Sequence, residues 1–210
     1  MTRNRPIVMS PSRIIRPAEE FDDDAIWRVI EPVFRAGEYP LPRHISPTDA
    51  FAYWRASGSE VFVAEGEGRI VGTYYLRANN RGGGSHVANC GYIVAANASR
   101  RGVARAMCVH SLTRARGRGF TAMQFNFVIS SNERAVRLWQ DCGFAIVGTL
   151  PGAFAHPIRG LVDAYVMYRS SVEFMSMTAG ATQAREHARI PLIEALLSSR
   201  RSYCAGAARR

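Results

Sequence analysis

Residues 99 to 106 read Ser-Arg-Arg-Gly-Val-Ala-Arg-Ala, after an apolar segment of strand character and before one of helical spacing. Small residues at Gly102 and Ala104 allow the main chain to come close to a ligand. A helix starting there offers unpaired N–H groups and the positive end of its dipole. Arg100, Arg101 and Arg105 add full charges whose planar forks match phosphate oxygens. The chemistry expected is capture of a phosphate-like anion, although an ordinary helix start has the same outline. The surroundings suit an anion: from Gly68 to Asn132 there are nine Arg and no Asp or Glu.

A second set of polar groups lies on the neighbouring strands. Val87–Val94 and 121–128 carry no carboxylate that could act as a base, but they present Asn89 and Asn126. Strand periodicity places Asn89 with Gly91 and Ile93, and Asn126 with Gln124 and Val128, each opposite an apolar face. If the two strands are parallel neighbours, the amides converge on one pocket; two amides satisfied by main chain or water would fit the pattern as well. His86 and His156 lie beside loops, where a histidine is more often structural than catalytic.

The elements that must position these residues follow from patterning. A first strand spans 12–17, a helix runs from Asp22 to Ile30 with acids in its first turn, and Pro32 and Gly37 disturb its end. Ser46-Pro47 caps and starts a second helix ending near Gly58, whose aromatics, with Tyr39 before it, offer Phe51, Tyr53 and Trp54 as a roof for a pocket or as core. Glu60–Glu65 and Ile70–Arg77 form a hairpin about Gly66-Glu-Gly-Arg69, and Ala78–Ser85 is a flexible connection. A fourth strand, Val87–Val94, leads to a helix from about Val103 to Arg116 that Gly117 and Gly119 stop. A fifth strand, 121–128, precedes a short helix from Asn132 to Cys142. Strands at 144–150 and 162–168, bridged by a Pro- and Gly-rich loop, complete the fold. The fold class is α/β of the α+β type, with one sheet.

In 210 residues there is room for one domain with a single sizeable core plus a tail. The expected organisation is a flexible leader at 1–11, a domain at 12–170 and a basic extension at 171–210, where Arg189–Leu197 has some amphipathic character beside a pattern of disorder. No apolar run reaches the roughly 18–20 residues of a membrane span, and the basic N-terminus lacks the apolar stretch of a secretory signal, so a cytoplasmic chain is expected. Cys90, Cys108, Cys142 and Cys204 show no metal-ligand spacing; no metal is expected, and buried thiols are. All 27 basic residues are Arg, a composition that resembles a codon bias more than a nucleic-acid surface.

The stretch Ser99–Ala106 followed by Asn132-x-x-Ala135-x-x-Leu-Trp139-x-x-x-Gly-Phe144 resembles the GCN5-related N-acetyltransferase (GNAT) family, over about Arg13 to Arg169. The resemblance implies a mixed, mostly antiparallel sheet with helices on both faces, in which parallel strands four and five splay to admit acetyl-CoA as co-substrate. Main chain at Ile93 and Val94 would pair with the pantetheine arm and offer oxyanion donors. The turn through Arg100, Arg101, Gly102, Val103, Ala104 and Arg105 would hold the pyrophosphate, with Asn132 and Trp139 lining the cofactor cleft. Two departures stand out: Ser99 occupies the place of a usual Gln or Arg, and Trp139 that of a Tyr which often protonates the leaving thiolate. Because a thiol titrates near 8.5, the thiolate can leave without that acid.

Ser85–Gly91, Phe125–Val128 and 162–168 are further similar to the branch that acetylates proline analogues such as azetidine-2-carboxylate. There the residues matching Asn89 and Asn126 recognise substrate and act in catalysis. The acceptor implied is the amine of a small molecule, an amino acid or proline analogue, attacked directly in a ternary complex. A protein amino group, an antibiotic amine and a non-catalytic acyl-CoA-binding module remain alternatives. A homodimer is compatible with this reading, while a membrane or a specific nucleic acid is not an expected partner.

Overall fold

A computed structural model describes residues 14–171, and the expected leader, the basic extension beyond Ser171 and Cys204 lie outside these residues. Seven strands form one sheet in the order β1-β2-β3-β4-β5-β7-β6: β1 Ile14–Pro17, β2 Glu60–Gly66, β3 Arg69–Ala78, β4 Val87–Val94, β5 Ala122–Ile129, β6 Ala145–His156 and β7 Gly160–Ser170. Every pairing is antiparallel except that of β4 with β5. Four helices cover the sheet: α1 Asp23–Ala36, α2 Pro47–Trp54, α3 Val103–Gly117 and α4 Glu133–Asp141.

Strand alternation feeds two cores, one per face. Val61, Val63, Tyr75 and Ile93 pack with Ile26, Ile30, Phe34 and Trp54 of α1 and α2. Phe62, Ala64, Tyr74, Leu76 and Cys90 pack with Met107 and Cys108 of α3 and Trp139 of α4. Two buried polar side chains satisfy one another and the main chain: Trp54 Nε1 donates to Thr73 Oγ1 at 3.2 Å, and Thr73 Oγ1 donates to the Phe62 carbonyl at 2.9 Å. Of the cysteines, Cys90, Cys108 and Cys142 are free and buried. Among the described residues no helix is long and apolar enough to cross a membrane.

Three boundaries depart from the patterning. Helix α1 runs through Pro32 to Gly37, which caps it at φ +71°. Pro32 and Arg28, whose carbonyl loses its partner, are both exposed, so water can serve that carbonyl while Ile26, Val29, Ile30 and Phe34 keep one apolar face buried. The connection after β3 contains a 3-10 turn at Gly82–Gly84. The loop expected between the last two strands is mostly strand, because β6 forms the edge of the sheet and its irregular register between Leu150 and Phe154 absorbs Pro151 and Gly152.

The start of α1 is tied to the sheet by a charge cluster. Asp22 accepts from Arg16 through both oxygens, at 2.7 and 2.9 Å, and from the Glu19 amide at 2.8 Å, while Arg16 Nε donates to Glu65 at 2.7 Å. The Arg16 guanidinium holds the Asp22 carboxyl below its ordinary value and outweighs the opposing effect of burial. A carboxyl with a depressed folded-state pKa stabilises the fold above its unfolded pKa of about 3.9, and the contribution disappears as pH falls through the depressed value. Asp22→Asn is expected to lower stability by about 1–3 kcal/mol at neutral pH, with the gap to wild type closing below about pH 4; urea unfolding at a series of pH values measures both.

Candidate functional site

The parallel ladder between β4 and β5 consists of two rungs, Val87 with Ala122 and Ala88 with Met123. Beyond Ala88 the strands part, although β4 continues to Val94 and β5 to Ile129. The main chain of β4 from Asn89 onward therefore has no strand partner on its β5 side. A bulge in β5 accompanies the parting: Phe125 pairs with Met167 and Val128 with Tyr165, so Asn126 and Phe127 together face one residue of β7. The bulge breaks the regular alternation expected of this strand and puts Val128 with Phe125 in the core, not beside Gln124 and Asn126.

Asn89 sits where the fork opens. Its Nδ2 donates to the Gln124 carbonyl of β5 at 2.9 Å, replacing the next rung with a side chain, and its Oδ1 accepts from Tyr75 Oη at 3.3 Å. Asn126 is exposed; its Oδ1 accepts from Gln124 Nε2 at 2.8 Å and its Nδ2 donates to Asn79 Oδ1 at 2.7 Å. Both amides line one cleft of about 450 Å³, as expected of parallel neighbours.

Aromatic rings hold the fork apart from the α3/α4 side. Tyr92 lies 4.9 Å from Trp139, Trp139 5.1 Å from Phe125, and Phe125 4.2 Å from Phe144, between ring centroids. Trp139 is buried and lines the cleft. The Tyr92 hydroxyl turns away to Ser111 Oγ at 2.6 Å, and burial raises its pKa. Burial also pushes the Cys90 thiol up to about 12, so this cleft residue holds a thiol and not a nucleophilic thiolate near neutral pH.

The opposite side is lined with phenols. Tyr39, Tyr53 and Tyr75 meet the cleft, with Tyr53 Oη 3.1 Å from Tyr75 Oη. Burial raises the pKa of Tyr39 and of Tyr75, so both stay protonated. Of the expected roof, Phe51 and Trp54 do not reach the cleft: Trp54 is fully buried and Phe51 packs against the same core.

At the wide end lies the turn into α3. Arg100 at φ +62° and Gly102 at φ +79° adopt left-handed conformations, and Gly102 occupies the N-cap position without a side-chain cap. The Ala106 amide bonds back to the Gly102 carbonyl at 3.0 Å, so the amides of Val103, Ala104 and Arg105 precede the helical ladder. No acid lies in this first turn. Three N–H groups and the positive end of the helix dipole are thus left without a capping side chain, the donor set that suits an anion.

The arginine side chains take other directions than expected. Arg101 pairs with Glu67 at 3.3 Å and Arg105 with Asp141 at 2.6 Å; neither of them, nor exposed Arg100, lines the cleft. The Val103 side chain belongs to the core. A different cation, Arg134, lines the cleft and donates to Ser99 Oγ at 2.8 Å. It sits in the first turn of α4, inside the motif whose Asn132 and Ala135 were read, but a lone helical Arg carries no distinguishing signal. Asn132 lines the cleft and caps α4 through Oδ1, which accepts from the Ala135 amide at 3.1 Å. Of Ile93 and Val94, which line it too, Ile93 buries its side chain in the α1/α2 core.

His86 and His156 stay outside. The first bonds its ring Nδ1 to the Gly83 carbonyl at 3.0 Å, and the second accepts from the Ile158 amide at 3.2 Å in the β6–β7 turn. Among the described residues no group of three or more His, Cys, Asp or Glu could hold a metal ion.

Known proteins share this fold. A model of the acetyltransferase (GNAT) family matches residues 25–144. The N-acetyltransferase aca1 of Schizosaccharomyces pombe is 31% identical over 100 residues, 46% of this chain and 47% of that protein, so the chain spans about half the length of this curated relative. The solved structure of a GCN5-related N-acetyltransferase from Kribbella flavida is similar with a TM-score of 0.72 and 39% identity, covering 75% of this chain and 97% of that one. At 18% identity the likeness is one of fold: a phosphinothricin acetyltransferase from Sinorhizobium meliloti, solved with acetyl-CoA, has a TM-score of 0.68 over 79% of this chain and 91% of that one.

Gly91 has a steric role in this site. A Cβ at this position would overlap Tyr39 Oη and lie 2.6 Å from Tyr75 Cε1, so the phenols can approach β4 only because the side chain is missing. Gly91→Ala is expected to cost about 1–3 kcal/mol of stability and to change the near-ultraviolet circular dichroism of the displaced tyrosines, while the far-ultraviolet spectrum stays the same.

Proposed function

Since the chain belongs to the acetyltransferase (GNAT) family, we propose that it moves the acetyl group of acetyl-CoA to the amine of a small molecule, an amino acid or proline analogue, by direct attack in a ternary complex. The observation that carries this reading is the fork. Two rungs of ladder end at Asn89, and the unpartnered β4 main chain leads to the uncapped amides of α3. An extended, amide-bearing thiol ester with a diphosphate at its far end matches that sequence of groups.

In this reading the amides of Val103, Ala104 and Arg105 take the diphosphate, and Arg134 adds a cation from the cleft lining. The main chain at Ile93 and Val94 holds the pantetheine arm and donates to the developing oxyanion. The neutral amine attacks the thioester carbon as a C–N bond forms. The tetrahedral intermediate then breaks its C–S bond, releasing coenzyme A thiolate, and the proton from nitrogen passes to solvent.

Trp139 takes the place where the family often has a tyrosine, and its indole supplies no acid. The low pKa of the thiol compensates, about 8.5 against the far higher values of alcohols and amines. The protonated Cys90 suits direct attack over an acyl-enzyme. Asn89 and Asn126 orient the acceptor, and their present hydrogen bonds set the direction of their amide groups at the fork.

Calorimetry with coenzyme A and acetyl-CoA, followed by thiol release with a panel of amines, tests the proposal. Saturable binding and turnover with at least one small amine are expected. Absence of heat with either cofactor form on folded protein overturns the reading, and turnover confined to peptides or aminoglycosides overturns the acceptor class. Asn89→Ala and Asn126→Ala are each expected to lower kcat/KM for the amine by about 10- to 1000-fold, with acetyl-CoA affinity within about twofold of wild type.

A further inference from the structure

We propose that Arg77 selects the acceptor by binding its carboxylate, so that the site prefers amines bearing an acid group over the same amines without one. The inference rests on the acetyltransferase reading of this cleft and assigns its substrate chemistry.

Arg77 stands on β3 directly across from Asn89 of β4, and Tyr75 stands across from Gly91. These four residues share one face of the sheet and line the cleft. The Arg77 guanidinium carbon lies 4.4 Å from the centroid of the Tyr75 ring and 5.0 Å from that of Tyr53. Two ring contacts fix the position of the group, and Nη1 donates to the Tyr53 carbonyl at 3.3 Å. The other donors of a guanidinium remain for a ligand.

Charge balance supports the same assignment. Among the half-buried arginines, Arg16 is neutralised by Asp22 and Glu65, Arg35 by Glu31 and Arg55 by Asp23, while Arg169, which donates to the Cys142 carbonyl, does not line the cleft. Arg77, also half-buried, makes no ion pair among the described residues. Stacking against tyrosine faces keeps an arginine in place without neutralising it, so the positive charge stays available to a carboxylate. Arg134, the other cation of the cleft, holds Ser99 ahead of α3. Glu38 is the one carboxylate of the lining, so a zwitterion finds both opposite charges in one cleft. A polycation finds a single acid and two arginines. The phenol rings of the lining suit a compact apolar body.

Matched pairs test this directly: L-proline with pyrrolidine and with L-prolinamide, azetidine-2-carboxylate with azetidine, and each α-amino acid with its primary amide, all against acetyl-CoA. The acid of each pair that turns over is expected to be favoured at least about tenfold in kcat/KM. Arg77→Gln is expected to raise KM for the acid by about 10- to 100-fold and to abolish the preference, with KM for acetyl-CoA and the thermal midpoint nearly unchanged. Arg77→Lys should recover part of the preference. A purely structural role for the stacked guanidinium would instead depress acid and amide alike.

Equal use of acid and amide by the wild type, or a preference that survives in Arg77→Gln, overturns the assignment. The wild-type pairs test the acid preference whatever the variant does, and should Arg77→Gln not fold, an undiminished preference in Arg77→Lys overturns the assignment to Arg77. Bound acetyl-CoA with turnover of uncharged amines only sinks this inference and leaves acetyl transfer standing. Failure to bind acetyl-CoA removes both.

Discussion

Parallel strands share a ladder only while their main chains run about 4.8 Å apart, and here that condition ends after Ala88 and Met123. Unpaired main-chain groups inside a protein are costly unless something else satisfies them. The site depends on how this cost is met. Asn89 supplies one bond to β5 at the point of separation, a bulge diverts β5, and Tyr92, Phe125 and Trp139 occupy the space on one side. What remains open is a cleft whose edges are main-chain donors and acceptors, a surface suited to an amide-bearing chain.

Position around that opening follows from the sheet. Register across β3 and β4 sets Tyr75 against Gly91 and Arg77 against Asn89, so phenol, cation and amide face the cleft from adjacent strands. Helix α1 comes to the sheet through the Arg16–Asp22–Glu65 cluster, and its glycine cap releases the chain toward Tyr39. The hydroxyls of Tyr53 and Tyr75 and the Asn89 amide then join in one hydrogen-bonded series. Each member limits the rotamers of the next, which gives a polar pocket its shape before anything binds.

The strands, the helices and the anion-binding turn were legible because they are local. Apolar alternation and helical spacing mark Val87–Val94 and α3 whatever surrounds them, and a glycine at Gly102 marks the helix start. The fork itself came from resemblance, since no residue pattern distinguishes a paired strand from one that parts from its neighbour. The β5 bulge was invisible for the same reason: one extra residue in a strand leaves the apolar count intact and changes only which face Val128 meets. Arg77 and Arg134 were hidden by composition. In a chain with 27 arginines no single one stands out, and what distinguishes them is the company of Tyr53 and Tyr75 in one case and Ser99 in the other. Arg101 and Arg105 carry charges that suit a phosphate, and only the tertiary fold brings Glu67 and Asp141 within reach of their side chains.

Helix α3 begins with neither a capping side chain nor an acid, features that in other helices contribute about 1 kcal/mol apiece. Its first turn lacks both of these stabilising features, and the helix is held to the core by Val103, Met107, Cys108 and Ala115. An anionic occupant would complete the turn in place of the missing cap, and occupancy and folding are then linked by mass action.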